Sequence, residues 1–341
     1  MTKVAFATRH EAFSSFRYSR HVELEYPKWG ASRMTSINTN RAAMTALASL
    51  EATQKNLDDT QERISTGLRV NSATDNAAYW SIATTMKSDN SALSTIKDAL
   101  GLASATVDVT YTALNSEVDV VKQIKDKLVA AAAPGVDKAK IQTEIAALQG
   151  QLKSTADSAN FSGENWLSVD SSSPGYNASK SILSSFSRSS TGVSVQTITF
   201  DGDTTKLFDV NDKSGILDKE DTTTNGNVNY SVSTLNISAM TDSPNDTADL
   251  KQMISYVDKS LGQLTDAAAN VGALKTRVDA QSSFVGTLMD AITRGVGSLV
   301  DADMSEESTK LQALQVQQQL GTQALSIANQ SSQAILKLFQ S

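Results

Sequence analysis

The chain contains two long segments without proline, and these constrain its fold more than any other feature. Residues 35–133 and 245–341 contain no proline, and the four prolines stand at positions 27, 134, 174 and 244. Proline costs about 3 kcal/mol inside a helix, so its absence over such lengths favours helix. Both segments carry apolar residues at alternating steps of three and four, which is the spacing of a coiled-coil seam. The sequence therefore predicts long helices near both ends.

Each end is predicted to hold a short terminal helix and a longer helix next to it. Small polar residues at 65–76 interrupt the first segment, because they favour turns and caps over helix interior. In the last segment the predicted interruption contains Gly295 and Gly297. Asp303 and Glu306 follow it with the spacing of a capping box, with aspartate in place of Ser or Thr.

The terminal helices carry narrow apolar seams that a single partner helix cannot bury alone. Gln54, Gln61 and Gln318 fall in seam positions, where a polar residue costs stability while fixing the register. We interpret these seams as sites of coupled folding and self-association, although an intramolecular coiled coil explains any single leucine better. The predicted self-association residues are Leu47, Leu50, Leu57, Ile64, Leu68, Leu311, Leu314, Leu325, Ala328, Ile335 and Phe339.

The middle of the chain, residues 161–249, differs in composition and is rich in Ser, Thr, Asn, Asp and Gly. Short alternating runs at 193–195 and 228–232 predict strands. Asn225-Gly226, directly before the second run, is a strong signal for a two-residue hairpin turn. A further helix is predicted over 137–156, so the segment as a whole indicates a small β-containing insert between helices.

These elements together predict the fold class. Helical segments of about 100 residues, rising about 1.5 Å per residue, are longer than a globular domain is wide. They must therefore lie along each other as the chain leaves and returns. The predicted fold is mainly α: an elongated rod of long antiparallel coiled-coil helices from both termini, with a small β-containing middle domain at the tip.

Composition excludes most chemistry. The chain has no cysteine, and its two histidines, His10 and His21, lie near the start, so the main body offers neither a thiolate site nor a Ser/His/Asp triad. We predict no catalytic residue, no cofactor and no metal site. A net charge of -7 argues against nucleic acid as a partner, and no apolar run approaches the ~20 residues of a membrane span. Trp80 and Trp166 are predicted to pack between helices.

The first 33 residues differ from the rest of the chain. They hold both histidines and a net charge of +3, and Met34 stands where the composition changes. We interpret residues 1–33 as an atypical extension that arises from a start site placed upstream of Met34. A genuine extension is the alternative interpretation.

Motifs at both ends resemble a known family. Residues 62–73 read ERISTGLRVNSA, in which Arg69, Asn71, Ser72 and the following Asp75 match a family-signature turn. Residues 37–40, INTN, resemble the opening motif, and residues 301–304, 319–322 and 328–330 resemble the C-terminal signature. From Met34 onward the sequence is similar to bacterial flagellins, most of all to the short flagellins of alphaproteobacteria. One departure is Tyr79, followed by Trp80, where the family usually has glycine.

The resemblance implies a structural subunit that polymerises into the bacterial flagellar filament for swimming motility. It implies an extracellular location, reached by type III export without a cleaved signal peptide. It implies self-association, and other flagellins, the filament cap, hook-associated proteins and an export chaperone as further partners. The implied domains are an inner terminal-helix domain (34–75 and 305–341), a helical rod domain (76–160 and 250–304) and a variable outer β-containing domain (161–249).

Two other functions compete with this interpretation. A hook–filament junction protein resembles flagellin at both ends, but the close C-terminal match favours flagellin itself. A cytoplasmic coiled-coil adapter explains the heptads, but neither the insert nor the paired terminal signatures. An enzyme is disfavoured by the missing histidines and cysteines.

Overall fold

The computed structural model of the chain describes residues 39–189 and 192–340, with side chains described as far as Gln330. Two compact units form, which we name by their place in the sequence: the terminal unit, up to Asp59 and from Thr309 onward, and the central unit, Thr60–Ser308. The predicted extension 1–33 lies outside the described residues. The described helices and strands are, in chain order, α1 (Arg41–Thr66), α2 (Ala77–Ala131), α3 (Lys138–Ser158), β1 (Asn160–Phe161), β2 (Glu164–Asn165), β3 (Ser168–Val169), β4 (Ser179–Ser189), β5 (Gly192–Asp201), β6 (Phe208–Asp209), β7 (Asp221–Thr222), β8 (Asn229–Tyr230), α4 (Pro244–Val300) and α5 (Met304–Gln340).

An antiparallel pair of long helices, α2 and α4, forms the framework of the central unit. Hydrogen bonds between side chains set its register: Asn90 Nδ2 donates to Thr293 Oγ1 at 3.2 Å, and Ser104 Oγ donates to Asp279 Oδ1 at 3.0 Å. Further along, the Lys125 ammonium lies 2.5 Å from Asp258. Each step along α2 is thus matched by an equal step back along α4. Seam residues of both helices are fully buried, among them Leu100, Leu114, Leu128, Leu264 and Val278.

Helix α2 begins directly after the predicted break at 65–76, and α4 begins at Pro244. The Asn76 side chain caps α2 by accepting from the Tyr79 N–H at 3.1 Å. Ser243 caps α4 by accepting from the Asp246 N–H at 3.1 Å, and Pro244 occupies the first turn, where its missing N–H costs nothing. Helix α3 folds back on α2 and buries Ile145 and Leu152. The prediction of a mainly α chain with long helices at both ends and a small β-containing middle is confirmed.

The insert between α3 and α4 contains four two-stranded sheets among the described residues. Its longest element is the antiparallel β4–β5 hairpin, which includes the predicted strand at 193–195. This hairpin lies along the helix pair, because the Arg188 guanidinium pairs with Asp89 of α2 at 2.6 Å and Gln281 of α4 donates to the Ser184 carbonyl at 2.9 Å. Strand β5 keeps mostly exposed side chains.

The structure corrects two expectations about breaks and turns. Helix α4 continues through Gly295 and Gly297 to Val300, because burial of Val296 and Val300 outweighs the cost of about 1 kcal/mol per helical glycine. The break falls at 301–303 instead.

The Asn225-Gly226 signal does mark a hairpin, between β7 and β8, but its loop is six residues wide (223–228) rather than two. Asp249 of α4 holds this loop open. Its carboxylate accepts from the N–H groups of Asn225 and Gly226, at 3.0 and 2.7 Å.

The tryptophans differ from their predicted role. Trp166 is buried and stacks on Phe200 with ring centroids 5.7 Å apart, so it packs within the insert. Trp80 leaves 39% of its surface exposed near the start of α2, and the expectation that it packs between helices is wrong.

The terminal unit is an antiparallel pairing of the first part of α1 with α5. Gln318 Nε2 donates to Gln54 Oε1 at 2.6 Å, which joins two of the predicted polar seam positions. Asn40 Nδ2 donates to the Ala328 carbonyl at 2.9 Å. Between these points Gly321 faces Leu50 so closely that a Cβ at Gly321 would lie 3.1 Å from Leu50 Cδ1. None of the described helices is long and apolar enough to cross a membrane.

Candidate assembly surfaces

The family-signature turn joins α1 to α2 and holds the end of α4. Helix α1 ends at Thr66, and Gly67 takes the left-handed conformation (φ 71°) that closes helices and that glycine adopts without strain. The Arg69 N–H donates to the Val300 carbonyl at 2.7 Å, and the Arg69 guanidinium donates to the Leu299 carbonyl at 2.9 Å. The carbonyls left open at the end of α4 are thereby satisfied by the turn.

Asp75 organises the turn from within. Its carboxylate accepts from the N–H groups of Ser72 and Asn71, at 2.9 and 3.0 Å, and from the Ser72 hydroxyl. These hydrogen bonds, that from the Ser72 N–H foremost, hold the pKa of Asp75 below its ordinary value. The Asn71 side chain ties the turn back to α1 by donating to Glu62 Oε1 at 3.1 Å. The structure thus brings Arg69, Asn71, Ser72 and Asp75 together.

The start of α5 within the central unit is held by a cap and an ion pair. Asp303 accepts from the N–H groups of Ser305 and Glu306, at 2.9 and 3.3 Å, which is the N-cap half of the predicted capping box. The Arg63 guanidinium lies 3.1 Å from Glu307, whose side chain is only 9% exposed. A carboxylate this close to the beginning of a helix is also favoured by the helix dipole.

The predicted self-association residues divide by exposure. Leu57 and Leu314 are buried, at 6% and 7% exposure, so they form the covered seam between α1 and α5 in the terminal unit. Leu47 is 45% exposed and lies outside that seam. Ile335 and Phe339 lie outside the residues whose side chains are described. The half-buried members are Leu50, Leu311, Leu325 and Ala328 in the terminal unit and Ile64 and Leu68 in the central unit.

A second apolar stripe on α5 contains none of the predicted self-association residues. Val316, Leu320 and Ile327 are 54%, 58% and 67% exposed, and they follow each other at steps of four and seven residues. They belong to one face of the helix by the same periodicity that predicts the covered seam. On α1, Met44 is 62% exposed and Leu47, three residues later, is 45% exposed, so both contribute exposed apolar surface. We call Val316, Leu320 and Ile327 the open stripe.

The open stripe lies in a segment without charge. Residues 311–336 contain no Asp, Glu, Lys or Arg, although most of the described side chains in this range are exposed. Surface helices ordinarily carry charged residues on the face opposite the core. A helical segment that has no charged residue and is nearly half apolar is typical of an element that becomes buried in an assembly.

Acidic side chains in the described part of the chain form no metal-binding cluster beside these surfaces. Among the described residues, no group of three or more His, Asp or Glu side chains lies close enough to hold a metal ion. Glu117, a fully buried acid whose pKa is raised by burial, lies among the buried residues of α2.

Comparisons with known proteins agree with the motifs. A model of the bacterial flagellin N-terminal helical region matches residues 37–171, and a model of the C-terminal helical region matches residues 254–339. Flagellin C of Rhizobium meliloti (strain 1021) is 52% identical over 322 residues, covering 90% of this chain and 100% of the relative. A flagellin of Brucella melitensis biotype 1 is 44% identical over 308 residues with the same shares covered.

A solved structure, that of Bacillus cereus flagellin, aligns at a TM-score of 0.36 with 17% identity, over 56% of this chain and 88% of that chain, a likeness too weak to support a conclusion. The family models that match both end segments and the relatives that align over their full length are stronger evidence of family membership. Together with the signature turn at residues 62–76, they establish that the chain belongs to the bacterial flagellin family.

Proposed function

We propose that the chain joins its neighbours in the filament through the open stripe of α5 and through Met44 and Leu47 of α1. Flagellin is the structural subunit of the bacterial flagellar filament and not an enzyme, and it works outside the cell by polymerising with itself. The proposal concerns which surfaces of this chain make the polymer.

The observation that carries the proposal is the exposure of the open stripe in a single chain. Leu320 and Ile327 leave more than half of their surface in water, and they lie in residues 311–336 of α5, which contain no charged side chain. Complete burial of a side chain of this kind stabilises a contact by about 1.5–3 kcal/mol. Because the three side chains are 54–67% exposed, burying what remains of them contributes about 3–5 kcal/mol per subunit.

The covered seam has a different role in the same proposal. Leu57 and Leu314 hold α1 against α5, and the Gln54–Gln318 hydrogen bond fixes their register. The seam therefore shapes the terminal unit, and the open stripe makes its contacts with other copies. In this arrangement the seam residues contribute to self-association only indirectly, because they hold the terminal unit in the shape that presents the open stripe.

The remaining parts of the family pattern belong to the same proposal. Residues 34–75 and 305–341 form the inner domain of the filament, 76–160 and 250–304 the helical rod domain, and 161–249 the outer domain. Export proceeds without a cleaved signal peptide. Other flagellins, the filament cap, hook-associated proteins and an export chaperone are further partners. The similarity of both end segments to flagellin supports this assignment.

Seeded polymerisation of a charge variant tests the proposal. Leu320→Asp places a carboxylate on a side chain that is already 58% exposed, so the isolated subunit should keep its helix content and melting temperature. In the filament the same carboxylate would be buried without a partner, at a cost of several kcal/mol. Val210→Asp, at a position in the insert that is 71% exposed, is the matched control.

We expect Val210→Asp to elongate seeds like the parent chain and Leu320→Asp to stay monomeric in sedimentation and electron microscopy. Normal filaments from Leu320→Asp would refute the role of the open stripe. Loss of helix in the Leu320→Asp monomer would show that Leu320 supports the fold of the subunit, which would also count against the proposal.

A further inference from the structure

We propose that the first turns of α2, residues 76–86, form a second contact between subunits, with Trp80 at its centre and a second copy of this chain as its occupant. This inference rests on the proposed function, since it requires the chain to polymerise. It concerns the central unit, whereas the open stripe belongs to the terminal unit.

The beginning of α2 is exposed nearly all round. Tyr79, Trp80 and Ile82 leave 41%, 39% and 46% of their surfaces in water, which places two aromatic rings and a branched aliphatic side chain within one turn of helix. Ala77, Ala78 and Ser81 between them are exposed as well. Each side chain of residues 77–82 therefore keeps more than a third of its surface exposed, and Ala83 is the first buried position.

This segment also lacks charge. From Asn76 to Met86 there is no Asp, Glu, Lys or Arg, and charged residues return with Lys87 and Asp89. Further along α2 the exposed positions include charged residues such as Lys122 and Asp126. Depletion of charge together with Trp and Tyr is the composition that distinguishes the core of an interface from the rest of a protein surface.

The exposed side chains stand on a rigid base. Asn76 caps the helix, and Asp75 fixes the turn before it. Behind the patch, Ala83 packs in a small cluster with Val70, Val296 and Val300. A contact made by side chains on such a base loses little conformational entropy on binding. The small residues Ala77, Ala78 and Ser81 leave room for a partner's backbone to approach.

A second copy of the chain is the occupant that these observations favour. The function of the chain places copies next to each other, and an open polymer needs two different, mutually complementary faces on each subunit. An uncharged aromatic patch offers nothing to a nucleic acid, an acidic peptide or an anionic surface, all of which are recognised through charge. An apolar face of a neighbouring subunit meets this requirement.

Tryptophan fluorescence tests the inference in the full chain. In a Trp29→Phe background, Trp80 and Trp166 are the emitting residues, and Trp166 is already buried at 5% exposure, so it serves as an internal reference. Acrylamide quenching is measured for monomer and seeded filament, with and without the further change Trp80→Phe. We expect quenching of the Trp80 contribution to fall several-fold on polymerisation, and the Trp166 contribution to stay unchanged.

The second measurement is the critical concentration for elongation. Trp80→Ala should raise it at least about tenfold, which corresponds to the loss of one interface hot spot. Val210→Ala, at an exposed apolar position in the insert, should leave it unchanged. Monomer circular dichroism is recorded for both variants, because a folding defect would itself raise the critical concentration. The quenching measurement does not use Trp80→Ala, so it tests the contact even if that variant folds poorly.

The outcomes separate this inference from the function on which it rests. Filaments of normal appearance in which Trp80 is quenched as strongly as in the monomer would overturn the inference and leave the proposed function intact. Failure of the parent chain to elongate seeds would overturn the proposed function, and the inference with it. Protected Trp80 together with a raised critical concentration for Trp80→Ala would establish the contact.

Discussion

Glu117 is a carboxyl group placed where a hydrophobic residue is expected, and replacing it should stabilise the subunit. It lies in α2 one heptad after Thr110 and one before Ile124, and all three side chains are buried. Glu117 itself has no exposed surface, and neither of its carboxylate oxygens has a hydrogen-bond partner among the described residues. Burial, which disfavours the charged form, raises the pKa of Glu117 to about 8.

The raised pKa determines how stability depends on pH. In the unfolded chain the carboxyl group ionises near its ordinary value of 4.5, whereas in the folded chain it stays protonated up to about pH 8. Between these values the unfolded state binds fewer protons than the folded state, so the free energy of unfolding falls by about 1.4 kcal/mol for each rise of one pH unit. The loss begins above pH 4.5 and is complete above pH 8.

At pH 7 the buried Glu117 therefore lowers the free energy of unfolding by about 3 kcal/mol. Glu117→Gln keeps the shape and removes the titration, so the variant should be more stable than the parent chain by about that amount at pH 7. The two should be nearly equal at pH 4.5. For a unit of this size the difference at pH 7 corresponds to a rise of roughly 6–12 °C in melting temperature.

Urea unfolding of the monomer, followed by circular dichroism at several pH values from 5 to 8.5, measures this difference. Asp126→Asn is the matched control, because Asp126 lies on the same helix with an exposed side chain. The control should leave the stability unchanged. Equal stability of Glu117→Gln and the parent chain at pH 7 to 8, or the same pH slope in both, would refute the reasoning.

Two further predictions concern the seam and the signature turn. Leu57→Asp or Leu314→Asp puts a charge into the covered seam at a cost of about 3 kcal/mol or more. Each variant should therefore fail to elongate seeds. Unlike Leu320→Asp, each should also lower the helix content of the monomer. Normal filaments from either variant would contradict the assignment of the seam. Asp75→Asn should lower the free energy of unfolding at neutral pH by about 1 kcal/mol, because the carboxylate that accepts three hydrogen bonds is lost. Since the pKa of Asp75 is lowered on folding, the difference from the parent chain should shrink as the pH falls below about 4; a difference independent of pH would count against the charge of Asp75 as the cause.

The helices were predictable because their signal is local. Steps of three and four between apolar residues, the small polar residues at 65–76 and the capping pair of Asp303 and Glu306 are properties of short stretches of sequence. They indicated the long helices near both ends, and the helix predicted over 137–156 is observed at Lys138–Ser158. The one wrong break, at Gly295 and Gly297, has a long-range cause. The burial of Val296 and Val300 against Val70 and Ala83 keeps α4 helical through both glycines, and no local rule contains that contact.

The candidate surfaces were only partly predictable, for a similar reason. Two apolar stripes run along α5, and both obey the helical period. The predicted self-association residues of α5 include Leu314 of one stripe and none of Val316, Leu320 and Ile327. Which of them meets α1 depends on the rotation of one helix against the other, and this is fixed by contacts such as Gln54 with Gln318 and Leu50 with Gly321.

The sequence by itself determined that this chain is a mainly helical flagellin with a β-containing insert. Those conclusions follow from periodicity, composition and linear motifs, each of which is written in consecutive residues. The tertiary structure alone decided that Glu117 is buried with no hydrogen-bond partner among the described residues, that Asp249 widens the Asn225-Gly226 loop and that Trp80 stays exposed. Each of these depends on what a neighbouring element covers, because burial is a property of residues distant in sequence that come together only when the chain folds.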